Sequence, residues 1–500
     1  MIAVLAQTFN RPYLDYHALA PEIILGAVIV VLLLVDLFVE EDRKWALSSL
    51  AGVGVLAAFV PILTLALSGE PARVMFNGGY VVDDFALVLK GLFLLATYIV
   101  ILMSTNYVEE GDYHHGEYYV LLLSSVLGMV MIASSRDLVS IFVALEFLSI
   151  PAYMLAAWRK RDLKSNEAGM KYFLLGVFAS AVMLYGMSLL YGVSGTTLLT
   201  GIESYVASHG TEPITTLAIM FIVVGFAFKV SAVPFHTWAP DTYQGAPTPI
   251  TAFLSVASKA AGFVALLALV FVAFPSAKDV WQPLFWVLSV LTMTVGNLLA
   301  LRQTNNVRLF AYSSIAQGGF MLMPLAVVGN NPQAKEDALT AIVTYLIVYA
   351  AMNLGAFAVI IAVARKTRSG EISSYGGLFE YAPGLAVAMS FFLFSLAGIP
   401  PLGGWIAKFG VFQALLAAGG GWAAGLAVIG AVNSVVALFY YANIAREMFM
   451  NPVPDGDATP VRVPQALVAA LGITATVTLL IGVLPGVVLH FGDLSNFVAG

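Results

Sequence analysis

Four ionisable side chains stand inside apolar runs where a lipid-spanning helix should carry none. They are Glu146 in SIFVALEFLSIPAYM, Lys229 in FIVVGFAFKVSAVPFHTWAPD, Lys259 in TAFLSVASKAAGFVALL and Lys408 in FSLAGIPPLGGWIAKFGVF. Each such charge costs on the order of 2.5–3.5 kcal/mol at mid-bilayer on insertion scales, so four cost about 10–14 kcal/mol. That rivals the whole stability of a typical domain. A buried ion pair locking two helices is the structural alternative, but an apolar pair of similar volume is often as stable. One acid and three bases also leave two lysines without an evident partner. The chemistry this set offers is proton exchange. Burial disfavours the charged form of an amine and a nearby carboxylate favours it, so an amine beside a movable carboxylate gains and loses a proton. His236 follows Lys229 beyond Pro234; it could relay protons toward the cytoplasmic side or simply fill a helix break.

The elements that must hold these groups are membrane helices. The 500-residue chain is 60% hydrophobic and 10% charged, with mean hydropathy +0.90, whereas soluble proteins carry roughly 25% charged residues. It reads as an all-α polytopic membrane protein, a single integral membrane domain over residues 1–500. A bilayer core asks for about 20 apolar residues per helix. That window gives about fourteen spans, at 19–39, 46–67, 83–106, 117–135, 137–157, 167–192, 214–243, 249–274, 281–302, 307–328, 338–364, 383–418, 421–446 and 464–491. Spans 7 and 12 (214–243 and 383–418) are overlong and interrupted by Gly and Pro, which predicts broken helices. Backbone groups freed at a break are tolerated only against protein or a wet cavity. In transporters such half-helix ends sit beside charged groups near the midplane.

Lys90 and Lys171 lie near span ends, where a lysine snorkels to the interface, and Glu22 sits at a span end where a solvated position is expected. Thr251, Ser255, Ser258 and Tyr243 could hydrate a route near Lys259. Loops after odd-numbered spans carry most of the cations, including Arg159, Lys160, Arg161, Lys164, Arg365, Lys366 and Arg368, while the other side, tails included, holds only Arg11, Arg73, Arg136, Lys278 and Lys335. The positive-inside rule then places both termini outside.

With no cysteine, thiolate-held iron–sulfur clusters and disulfides are excluded. Of His17, His114, His115, His209, His236 and His490, only His236 approaches the middle of an apolar region, which argues against a pair of intramembrane haem ligands. No phosphate loop, HExxH or nucleophile elbow stands in a credible context, and nothing points to nucleic acid.

The segments FKVSAVPFHTWAPDTYQGAPTPITAFLSVASKAAGF, EAGMKYFLLGVFASAVMLYGMSLLYG and SLAGIPPLGGWIAKF resemble subunit N of respiratory complex I, the proton-translocating NADH-quinone oxidoreductase. The resemblance spans roughly residues 80 to 450. The wording through the eighth span, a lysine rather than an acid at 408, and a chain that stops soon after the fourteenth span favour N over the related L and M subunits. The resemblance implies two inverted five-helix repeats, spans 4–8 (117–274) and spans 9–13 (281–446). It implies that Glu146 and Lys229 pair, that Lys259 is the central lysine, that Lys408 is its counterpart in the twelfth span, and that His236 is the histidine after the seventh-span break. It further implies a proton-translocating chain with no cofactor of its own, quinone, FMN and iron–sulfur clusters belonging to partner subunits. Its neighbours would be other complex I membrane subunits, M-type and small K-type, in a bacterial inner (plasma) membrane. The alternative is a subunit of a multi-component sodium/proton antiporter.

Overall fold

The computed structural model describes residues 13–40, 43–111, 115–328, 332–454, 456–494 and 497. Arg11, His114 and the two chain ends lie outside the described residues, so the sidedness read for the termini falls there too. The first six spans are α1 (Ala20–Asp36), α2 (Trp45–Ser68), α3 (Asp84–Glu110), α4 (His115–Ser134), α5 (Leu138–Ala156) and α6 (Leu163–Ser194). An antiparallel hairpin of β1 (Arg73–Met75) and β2 (Tyr80–Val82) joins α2 to α3. A short helix, α7 (Leu199–His209), precedes the seventh span. That span is two pieces, α8 (Pro213–Lys229) and α9 (Trp238–Gly245).

The eighth span runs α10 (Thr248–Phe253), a π turn at 254–258, α11 (Lys259–Ala268) and a second π turn at 269–273. Then come α12 (Lys278–Ala300), α13 (Asn306–Leu322) and α14 (Pro332–Thr367). After the four-residue α15 (Leu378–Tyr381), the twelfth span is again two pieces, α16 (Pro383–Ala397) and α17 (Gly403–Ala418). The chain closes with α18 (Gly420–Met450), α19 (Gln465–Val483) and α20 (Gly486–Leu494). Among the described residues eleven helices are long and apolar enough to cross a bilayer, and the shorter apolar helices include α8 of the seventh span and both halves of the twelfth.

The helix starts are written locally. Asp83, Asp137, Asp162 and Asn305 each accept a hydrogen bond from a first-turn amide of α3, α5, α6 and α13, satisfying donors that have no intrahelical partner. Burial sorts the spans into layers. The most apolar window of 248–273 is wholly buried and those of 306–326 and 334–367 nearly so, whereas only 28% of the windows in α18 and α19 is covered. The core is therefore built from the eighth, tenth and eleventh spans, which carry or face the candidate lysines.

Three sequence expectations change. The last span, expected over 464–491, ends at Val483, and 486–494 is a separate helix, because Pro485 cannot continue the hydrogen-bond ladder. The hairpin and α7 were not foreseen, each being short and without strong periodicity. Lys90 does not snorkel. It is fully buried, its Nζ 2.6 Å from Glu22 Oε1, and Tyr80 Oη donates to the same oxygen at 2.5 Å. Glu22 is correspondingly largely covered rather than solvated. The loop cation Arg136 is buried too, paired with Asp83 at 2.9 Å.

Candidate proton path

α8 ends at Lys229, and the chain then unwinds through Val230–Thr237 before α9 begins. The freed backbone groups find partners within the protein. The Val233 amide donates to Thr292 Oγ1 at 3.0 Å, and Trp238 Nε1 donates to the Phe228 carbonyl at 3.0 Å. Trp238 also stacks on Tyr172, with ring centroids 4.3 Å apart. The break is thus held by protein, as a bilayer requires.

Lys229 is buried, and its Nζ has no hydrogen-bond partner among the described residues. It lies 5.6 Å from the Tyr153 ring centroid and 5.7 Å from that of Tyr172, within cation–π range of both. Glu146 does not touch it. Its Oε1 accepts from Ser180 Oγ at 2.6 Å, and among the described residues no ion pair joins the acid to the amine. The carboxylate is still near enough for its charge to act on Lys229, Tyr153 and Tyr172. In place of the expected direct pair, the acid is held by a serine and the amine by two tyrosine rings. Tyr153 lies two helical turns after Glu146 on α5, and Tyr172 about two turns before Ser180 on α6, so each pair shares a face.

Lys259 follows the first π turn. Such a turn interrupts regular α geometry and is often found at functional sites. Lys259 Nζ donates to both the carbonyl and the hydroxyl of Ser314, each at 2.6 Å. Beside it on α13, Ser313 and Tyr441 share a hydrogen bond of 2.5 Å. One turn on, Gln317 donates to Tyr441 Oη at 3.3 Å and to the Leu396 carbonyl at 3.1 Å, and it accepts from Tyr345 Oη. Leu396 and Ala397 form the end of α16, and Lys408 Nζ donates to the Ala397 carbonyl at 2.8 Å while lying 4.9 Å from the Phe320 ring centroid. The C-terminal end of a helix carries unpaired carbonyls and partial negative charge, which favours an amine there.

The four expected charges thus divide into two groups. Glu146 and Lys229 form one, and Lys259 and Lys408 are joined by side chains that the sequence reading passed over: Ser313, Ser314, Gln317, Tyr345 and Tyr441. A signal existed. Residues 306–326 form the least apolar of the crossing helices, and Ser313, Ser314 and Gln317 fall on one face at spacings of three and four.

His236 lies half-buried within the seventh-span break, its Nδ1 unpartnered among the described residues. Of the expected hydroxyls, Ser255 accepts from Asn353 Nδ2 at 2.7 Å, Thr251 is spent on the Tyr243 carbonyl at 2.8 Å, and Tyr243 Oη has no partner among the described residues. Where the positive-inside rule places the cytoplasmic face, Asp241 of α9 binds Lys171 of α6 and Arg308 of α13, each at 2.6 Å. Lys171 is half-exposed, as a span-end lysine should be, and it also pairs with Glu167. Among the described residues no three His, Asp or Glu side chains converge as a metal site.

The family described as "NADH:quinone oxidoreductase/Mrp antiporter, TM" matches residues 135–434, a range that contains Glu146, Lys229, Lys259 and Lys408. The NADH-quinone oxidoreductase subunit N of Trichlorobacter lovleyi is 42% identical over 497 residues, covering 98% of each chain. A chain of respiratory complex I from Thermus thermophilus superposes with a TM-score of 0.77 at 33% identity, covering 94% of this chain and 98% of that one. A chain of the Mrp complex from Dietzia sp. DQ12-45-1b reaches a TM-score of 0.84 over 96% of this chain and 97% of its own, but at 21% identity. That last likeness speaks for the fold alone.

Proposed function

Since the chain belongs to the NADH-quinone oxidoreductase subunit N family, and so is a multi-pass membrane subunit of that enzyme complex, we propose that it moves protons across the membrane through its half-buried acid and buried amines. The observation that carries this reading is a series of polar contacts between two buried lysines, bridged at residues 313–314 and 396–397 only by adjacency along the chain. From Lys259 it passes to Ser314, and from adjacent Ser313 through Tyr441 and Gln317 to the end of α16, where Lys408 is held.

Glu146 and Lys229 act as the input. An approaching carboxylate favours the charged form of an amine, and a retreating one favours the neutral form. Lys229 rests against aromatic faces rather than a fixed oxygen, so its amine responds to where the Glu146 charge lies. Proton release from Lys229 changes the field at Lys259, and the hydroxyl and amide groups beyond it offer donors and acceptors for the next transfer. Water is a natural partner wherever two of these groups do not touch. The redox chemistry belongs to partner subunits, which hold the quinone, flavin and iron–sulfur centres, and M-type and small K-type subunits are the neighbours. The membrane is the bacterial inner membrane, with both termini on its outer side.

The test is proton pumping by the purified complex in vesicles. Lys229→Ala and Glu146→Gln abolish NADH-driven proton uptake, by tenfold or more on the order of 1.4 kcal/mol per decade, while the complex still assembles. Reduced assembly, with the proton-to-electron ratio unaltered in the complex that still forms, would instead make the charges a structural lock. Sodium-dependent proton exchange without NADH or quinone would place the function with the antiporters.

A further inference from the structure

A cavity of about 260 Å³ opens where α3, α14 and α19 meet, with Thr248 at the start of α10 also in its wall, and none of the acid and amines of the proton path lines it. Its walls change character with depth. Leu102 and Ile361 line its inner part, Leu467 of α19 forms a side wall, and Asn106, Arg365 and Arg368 stand toward the helix ends. α3 and α14 reach it by their C-terminal ends and α19 by its N-terminal end, which the positive-inside rule places at the cytoplasmic surface.

The lining charges are one acid and two arginines. Arg365 is paired with Glu110 across the cavity mouth. Arg368 forms no ion pair or side-chain hydrogen bond among the described residues. It stands just past the last residue of α14, in a left-handed backbone conformation with φ of 49°, its amide closing back on the Ala364 carbonyl at 2.8 Å. With Glu110 spent on Arg365 and the Glu109 carboxylate outside the lining, 3.5 Å from Asn106 Nδ2, Arg368 is the lining charge left without a partner, over an apolar inner wall at the depth where acyl chains give way to headgroups. The third wall, α19, is among the least covered helices of the chain, so the cavity adjoins a lipid-facing surface.

We propose that this cavity binds the headgroup phosphate of an anionic phospholipid from the cytoplasmic leaflet. Basic pockets between membrane helices on that side recognise such headgroups, and each arginine near an anionic surface adds attraction equivalent to about fivefold in binding. Guanidinium groups suit the ligand because they present several donors to phosphate oxygens in a planar fork. Asn106 Nδ2 donates to Glu109 at 3.5 Å and keeps its second amide hydrogen for the ligand, and the Glu110–Arg365 pair keeps one guanidinium at the opening.

The experiment uses the assembled complex in vesicles doped with phosphatidylglycerol carrying a photoreactive group near its glycerol, or with the matching phosphatidylcholine. Cross-links are then mapped onto peptides containing residues 102–111 and 361–368. The anionic probe labels these peptides several-fold more than the neutral one, Arg368→Ala lowers the labelling about fivefold, and Arg368→Lys recovers part of it. NADH-quinone turnover of Arg368→Ala stays at the parent level, which separates lost binding from misfolding. Equal labelling by both lipids overturns the proposal, as does labelling indifferent to Arg368. Absence of labelling because a neighbouring subunit covers the cavity overturns it as well. Competition by inorganic phosphate at millimolar concentration would show a free-anion site in place of a lipid one.

Discussion

Lys229 meets two tyrosine rings and no oxygen, whereas Lys259 and Lys408 each donate to a main-chain carbonyl. A ring face attracts an ammonium weakly, on the order of 0.5–2 kcal/mol, and a hydrogen bond to a charged donor gives about 1.5–3 kcal/mol. The amine nearest the acid is therefore the most loosely held of the three, as suits a group that must respond to it. Gln317 is the corresponding fixed point, with its donor and acceptor atoms both engaged. Gln317→Leu strips Tyr345, Tyr441 and the Leu396 carbonyl of a partner, and an unsatisfied buried group costs about 1–3 kcal/mol. The expected result is a complex that assembles with a lowered melting temperature and a reduced proton-to-electron ratio, Gln317→Glu being the milder change. An unaltered ratio in Gln317→Leu would remove this residue from the path.

The charged members of the site were legible because a lysine in an apolar run announces its own expense. The neutral members were not. A serine or glutamine in a membrane helix costs little by itself, and only packing reveals that Ser314 meets Lys259 while Gln317 reaches α16. The same limit explains Lys90. From the chain alone a lysine near a span end looks free to reach water, and its burial depends on Glu22, some 68 residues away, arriving from α1.

At the scale of elements, the two broken helices carry their lysines at different places. Lys229 closes the first half of the seventh span, while Lys408 lies in the second turn of the latter half of the twelfth. Pro234 and the pair Pro400–Pro401 made both interruptions readable. What holds the twelfth-span corner was not readable, and Gly398 is part of it. Its φ is 90°, and a Cβ there would stand 2.8 Å from Lys408 Cδ. Gly398→Ala should therefore pay the left-handed backbone penalty, about 1–2 kcal/mol, and also displace the lysine. Gly195→Ala is the matched control, since it too is left-handed, with φ 69° and ψ 9°, and no atom lies within 4 Å of the added carbon. Thermal denaturation should show both variants destabilised, and proton uptake should fall only in Gly398→Ala. Equal uptake in Gly398→Ala and Gly195→Ala would mean that Gly398 serves the turn and not the amine.

Over the whole molecule, number and position of spans followed from hydropathy, and so did the two breaks. The layering did not, because all spans look alike in composition whether they face lipid or protein; only assembly sets the wholly covered eighth span against the largely bare thirteenth and fourteenth. Asp241 joins parts distant in sequence, with Lys171 of α6 on one oxygen and Arg308 of α13 on the other. Those partners belong to spans six and ten, and the clasp ties them to the seventh at one surface. Exposed pairs of this kind contribute about 0.2–1 kcal/mol and are screened by salt. Asp241→Asn should lower the melting temperature slightly at low ionic strength, with the gap closing in high salt. A gap that persists in salt would mean that the carboxylate acts through packing.

The corner at Leu396 and Ala397 is gripped from two directions, by an amide of the tenth span on one carbonyl and by the amine of Lys408 on the next. Consecutive carbonyls of one chain cannot travel independently. A tug on that segment from either side therefore loosens a neutral contact and a charged one together, so a displacement well under the width of a water molecule would be felt as a change in where charge prefers to rest.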